Sequence, residues 1–136
     1  MFLKLLPILG KWRICAICDS SGAAEAIEMI TPGGSEDQNA SSKRQMWAYL
    51  EHVAQLQYPP RNSAVSHHLD DGIWEFIKGD LRVLFFYDEG TRIVLTHGFI
   101  KHSQRTPPRQ IVRAKKAMMA FLRAKKEDNL QFVGDK

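Results

Sequence analysis

Three β-rich runs follow one another between Ile73 and Ile100, separated by tight turns, and such a succession folds most simply as an antiparallel meander. The runs are Ile73–Lys78, Leu81–Tyr87 and Arg92–Ile100, with His67-His68-Leu69 a candidate fourth. Gly79-Asp80 puts glycine first in a two-residue loop, where a type II′ turn needs positive φ. Asp88-Glu89-Gly90 marks a second hairpin. If that loop is Glu89-Gly90, Asp88 pairs with Thr91 and Arg82 stands opposite His97. Period-two alternation then puts Lys101 on the face of His97. Cationic and proton-carrying groups are thus expected near one end of the sheet.

Helical periodicity brackets this block. From Ser42 to Gln57, Met46, Tyr49, Leu50, Val53 and Leu56 recur at helical spacing until Pro59-Pro60 stops the run. Ala23–Ile30 is a shorter helix, and Lys11–Cys18 reads as a strand that ends in a turn. Thr31–Ser42 is rich in Gly, Ser, Asn and Asp and is expected to be a flexible loop. Thr106 is expected to cap a last helix with Pro107 in its first position. Along it Ile111, Ala114, Met118, Phe121 and Leu122 form an apolar stripe, while Arg109, Arg113, Lys116 and Arg123 fall on the other side as a basic ridge.

Charge is distributed unevenly. Residues 1–70 carry six basic and seven acidic side chains, whereas residues 71–136 carry thirteen and eight. No acid falls between Lys101 and Lys126, a footprint for phosphates or for an acidic partner. At 136 residues the chain is one domain's length, able to bury a core without disulfides or structural metal. The apolar opening, MFLKLLPIL, is broken by Pro7 and falls short of the ~18 residues a membrane span needs. Lys11 and Arg13 separate it from any small-residue cleavage site, so a cytoplasmic chain without membrane contact is expected, with residues 1–10 an N-terminal extension.

The chemistry-bearing residues exclude several classes. Cys15-Ala-Ile-Cys18 has no second cysteine pair for zinc, and on a strand its thiols point to opposite faces. The histidines lack an H-E-x-x-H or carboxylate cluster, so no metal and no cofactor is expected. No P-loop, dinucleotide or nucleophile-elbow motif occurs. The remaining cationic set suits RNA scission, because the substrate supplies its own 2′-hydroxyl nucleophile. The protein need only move protons and stabilise charge. For Arg82 the competing reading is a strand residue paired with Glu75 or Asp88.

The stretch Leu69–Leu122 resembles the HigB/RelE superfamily of toxins from type II toxin–antitoxin systems, in particular its phage-related HigB-like branch. Gly72-Ile-Trp-Glu-Phe76, Leu81-Arg-Val-Leu-Phe-Phe-Tyr-Asp88 and His97-Gly-Phe-Ile-Lys-His-Ser-Gln-Arg-Thr-Pro107, followed by the basic helix, carry the likeness. The resemblance implies ribosome-associated mRNA cleavage, restrained by an antitoxin that often carries a helix-turn-helix. Arg82 matches the family's strand arginine and Lys101 the first basic residue after H-G-F. His102 stands where a second lysine is common, and Arg105 replaces the lysine before T-P.

The expected protein is one α+β domain over residues 1–136, RelE-like in β-α-α-β-β-β-α order. Its mainly antiparallel sheet would have about four strands and helices packed on one face. The expected function is a metal-independent endoribonuclease toxin, with cognate antitoxin and ribosomal mRNA as partners. Arg82 and Lys101 would stabilise the transition state and His102 or His97 would handle protons. Lys78, Arg105, Arg109, Arg113 and Lys116 would hold phosphates. The alternative is a non-catalytic binder on the same scaffold, either gyrase-targeting or inactive.

Overall fold

The computed structural model describes residues 1–60, 62–102 and 105–133. In chain order its elements are β1 (Phe2–Leu5), β2 (Arg13–Cys18), α1 (Glu25–Ile30), α2 (Ala40–Gln55), β3 (Ser66–Asp70), β4 (Ile73–Lys78), β5 (Leu81–Asp88), β6 (Arg92–Ile100), α3 (Pro108–Lys126) and β7 (Gln131–Phe132). The strands form one sheet in the order β3-β4-β5-β6-β2-β1-β7.

The meander from β3 to β6 is antiparallel as expected, but the sheet as a whole is not the expected four-stranded one. It is a seven-stranded mixed sheet, with β2 parallel to β6 and β7 parallel to β1. Two segments enlarge it. The apolar run at the start of the chain supplies β1, which pairs antiparallel with β2. Residues after α3 return to that edge, where Gln131 N–H donates to Met1 O (2.9 Å) and Val133 N–H to Leu3 O (2.9 Å).

The helices also lie on both faces, not on one. Val83, Phe85, Ile93 and Leu95 pack in one core with Met46, Leu50 and Val53 of α2 and Ala26 and Ile30 of α1. Leu84, Phe86 and Val94, which alternate with them, pack with Ala114 and Phe121 of α3 in a second. A strand buried on both faces reads as a continuous apolar run, which explains Leu81-Arg-Val-Leu-Phe-Phe. α1 sits close on β6 because position 98 is glycine. A Cβ there would lie 2.8 Å from Met29 Cγ and 3.1 Å from Arg82 O.

Register departs from expectation twice. Asp88 pairs with Arg92, not Thr91, so the loop is Glu89-Gly90-Thr91, with Gly90 and Thr91 at φ +73° and +59°. A bulge at Thr96 adds a second shift, since Phe85 pairs with Leu95 but Leu84 with His97. Arg82 therefore stands opposite Phe99, not His97. The two one-residue shifts sum to two, which restores parity, so Arg82 and His97 still face α3 together.

The first half of the long loop is organised by one carboxylate. Asp37 accepts from Gly33 N–H (2.8 Å), Asn39 N–H (2.9 Å) and Lys43 Nζ (2.9 Å), which holds its pKa down to about 2. α2 then begins at Ala40, inside the stretch expected as loop. At α3, Pro107 occupies the cap position and no side chain caps the helix. The Thr106 hydroxyl expected there bonds Glu75 instead.

Candidate active site

β3 and β5 begin and β4 ends beside the first turn of α3, and between them lies a cleft of about 520 Å³. Its walls include His67, Glu75, Arg82, Lys101, Arg105 and Thr106, with Leu69, Ile77 and Ile111 as apolar lining. Strand register explains the convergence. His67 pairs with Glu75 across β3 and β4, and Ile77 with Arg82 across β4 and β5, so all four share the face turned toward α3.

Glu75 is the centre of this arrangement and the residue the sequence reading left without a functional role. It is buried, at 4% exposure, amid the apolar residues of β4. Thr106 Oγ1 donates to Glu75 Oε1 at 2.6 Å, tying the segment before α3 to the sheet. Arg82 Nε lies 3.9 Å from the same oxygen, and His67 Nδ1 lies 3.8 Å from Oε2. A buried carboxylate requires such partners, because desolvation without them costs several kcal/mol. Arg82 is itself held, its Nη1 donating to the carbonyls of Gly79 (2.7 Å) and Leu81 (3.1 Å). The glycine turn at Gly79, φ +56°, thus anchors the guanidinium as well as reversing the chain. An acid in an otherwise apolar strand was the available signal, but its partners lie 8 residues before and 31 after it.

The other expected residues divide. Lys101 and Arg105 line the cleft with Arg82. His102 is exposed and outside its lining. His97 is buried elsewhere under α3, its Nδ1 3.1 Å from Thr96 Oγ1 and its Nε2 2.8 Å from Gln110 Oε1. Burial lowers its pKa, the Gln110 bond opposes this, and nearby Arg113 and Glu25 push in opposite directions. Lys78 lies on the opposite face of the sheet, its ammonium 4.8 Å from the Tyr49 ring centroid. On α3, Arg113 is paired with Glu25, and Lys115 bonds Asp70 (2.7 Å), whereas exposed Arg109 and Lys116 have no acidic partner among the described residues.

The cysteines lie on opposite faces, and burial pushes the Cys15 thiol up to about 12. Among the described residues, no three His, Cys, Asp or Glu side chains are grouped to hold a metal ion, and no helix is long and apolar enough to cross a membrane.

The fold is thus a small α+β domain with a cationic cleft built around one buried acid. The model of the phage-derived protein Gp49-like family matches residues 36–119, more than half of the chain. The chain belongs to that family, a toxin-like family of toxin–antitoxin systems, and membership implies an antitoxin partner in general. No curated protein matches it significantly. The matched span contains α2, the whole meander and most of α3, hence every residue of the Glu75 cleft, whereas β1, β2, α1 and β7 fall outside it.

Proposed function

We propose that this chain is a HigB/RelE-type toxin that cleaves mRNA on the ribosome through the substrate's 2′-hydroxyl, and that a helix-turn-helix antitoxin restrains it. The observation that carries this reading is the buried Glu75 carboxylate, held by Thr106 between Arg82 and His67 inside a cationic cleft. Glu75 takes the proton of the 2′-hydroxyl as its oxygen attacks the adjacent phosphorus. Arg82 and Lys101 stabilise the added negative charge on the phosphorane, and Arg105 holds a neighbouring phosphate. The P–O5′ bond breaks, and the leaving oxygen takes its proton from His67, whose side chain is 47% exposed.

The test is cleavage of translated and of free RNA by the purified chain. Products ending in 2′,3′-cyclic phosphate and 5′-hydroxyl are expected, activity should persist in EDTA, and deoxy substitution at the cleaved nucleotide should abolish cutting. Growth arrest without RNA cleavage would reject the mechanism. One observation favours a second reading, a non-catalytic binder: the Arg82 Nη1 is already committed to two backbone carbonyls. Under that reading Arg82→Ala changes stability and leaves toxicity per folded molecule intact.

A further inference from the structure

A second cationic cleft, of about 280 Å³, lies at the opposite end of the sheet and is lined by Leu5, Arg13, Gly90, Arg92 and Phe132. It opens on the same face as the first. Arg13 and Arg92 alternate with Ile14 and Ile93 of the core opposite α3, and Leu5 pairs with Cys15 of the α3-side core. Phe132 pairs with Leu3 of that same α3-side core.

The placement of the two arginines is unusual. Arg13 and Arg92 are direct register partners in neighbouring parallel strands, and like charges so placed destabilise a sheet. Asp88 offsets Arg92 at 3.2 Å, but among the described residues Arg13 meets no acid. Phe132 is 48% exposed, with the Arg92 guanidinium 5.3 Å from its ring centroid. Gly90 leaves open space on the rim, with nothing within 4 Å of where a Cβ would stand. An anion would relieve the juxtaposition, and a half-exposed aromatic ring beside arginines offers a stacking surface for a base.

α3 joins the two clefts. Pro108 at its start lines the first cleft, and Lys125 near its end bonds Asp88 at 2.6 Å beside the second. The interval is about 25 Å at 1.5 Å per residue. Exposed Arg109, Lys116 and Arg123 recur every seventh residue along it.

We propose that Arg13, Arg92 and Phe132 form a second contact for single-stranded RNA, so that a strand entering the Glu75 cleft is held along α3 and gripped again at the far end of the sheet. This rests on the RNA-cleaving reading. Anisotropy with uncleavable 2′-O-methyl oligonucleotides tests it, using one long enough to span α3 and one that fills a single cleft. Arg13→Glu should lower affinity for the long strand roughly tenfold and reduce its salt slope by about one or more, removing the advantage of length. Phe132→Ala should cost about fivefold or more, and Arg13→Lys should keep most of the affinity. Both positions are exposed, and unchanged melting temperatures verify folding.

Unchanged long-strand affinity in Arg13→Glu and Phe132→Ala overturns the proposal. So does polyglutamate binding that depends on Arg13 while RNA binding does not, since the cleft then serves a protein. A wild-type chain that grips long RNA through Arg13 yet cuts none removes the cleavage reading alone. One that cuts RNA with no role for Arg13 removes this proposal alone.

Discussion

The two faces of the sheet are built on different principles. Under α1 and α2, Phe76 and Phe85 stack with centroids 3.9 Å apart, and Tyr49, Trp74, Tyr87 and Trp12 close around them edge-on or tilted. Under α3, a smaller apolar patch shares its space with buried Glu75, Arg82 and His97. Buried polar groups cost free energy unless partnered, and each of these three is: Glu75 by Thr106, Arg82 by the carbonyls of Gly79 and Leu81, and His97 by Thr96 and Gln110. Most of the aromatic packing thus lies on one face and the proposed chemistry on the other, and substitutions on each face test that division.

The largest expected effect is on chemistry. Glu75→Gln keeps the shape and still offers an oxygen to Thr106, but it removes the proton acceptor. Cleavage should fall by about 10²–10⁴-fold with little change in melting temperature. A Glu75→Gln protein cutting RNA at the wild-type rate would dissolve the functional half of the comparison. Phe85→Ala on the other face should do the reverse. Loss of a stacked, fully buried ring costs about 3–5 kcal/mol of stability, while the rate per folded molecule stays near wild type. Denaturant titration beside active-site titration separates the two.

What could be read from the sequence follows from how local each feature is. The meander, the glycine-first turn at Gly79 and the apolar stripe of α2 all rest on neighbours within a few residues. The mixed sheet does not. Pairing of β2 with β6 and of β7 with β1 joins segments far apart in the chain, and no local pattern in Phe2–Leu5 distinguishes a sheet strand from an apolar extension. The difference in register has a residue-level cause. Thr91 takes a left-handed conformation that β-branched residues rarely adopt, and the bulge at Thr96 carries no glycine to announce it. Glu75 was visible as an acid in an apolar strand, but the role proposed for it depends also on Thr106, which only the tertiary fold brings to it.

Thr106→Val sharpens the comparison by removing one hydroxyl and leaving the face otherwise intact. A hydrogen bond to a carboxylate contributes about 1.5–3 kcal/mol. Its loss should lower cleavage roughly ten- to hundredfold if Thr106 fixes Glu75 for proton transfer. Thr106→Ser, which keeps the donor, should restore most of the rate. A variant that loses stability but not rate would place the bond with the scaffold.

The smallest effect expected is on pH dependence, and it asks whether His97 belongs to the chemistry or to the packing of α3. Burial lowers its folded pKa below the unfolded value of about 6.5, so between the two pKa values the unfolded chain binds more protons. The stability gained from a neutral His97 is complete above the unfolded pKa and is lost as pH falls through it toward the folded pKa. Arg113 reinforces that direction, while Glu25 and the bond to Gln110 oppose it, so the slope should be shallow. His97→Gln should flatten this part of the stability profile and leave the pH dependence of cleavage unchanged, because the ring is bonded between Thr96 and Gln110 and lies outside the Glu75 cleft. A cleavage profile that shifts with His97→Gln would move this histidine into the proton path and blur the division between a packing site under α3 and a reacting site at its first turn.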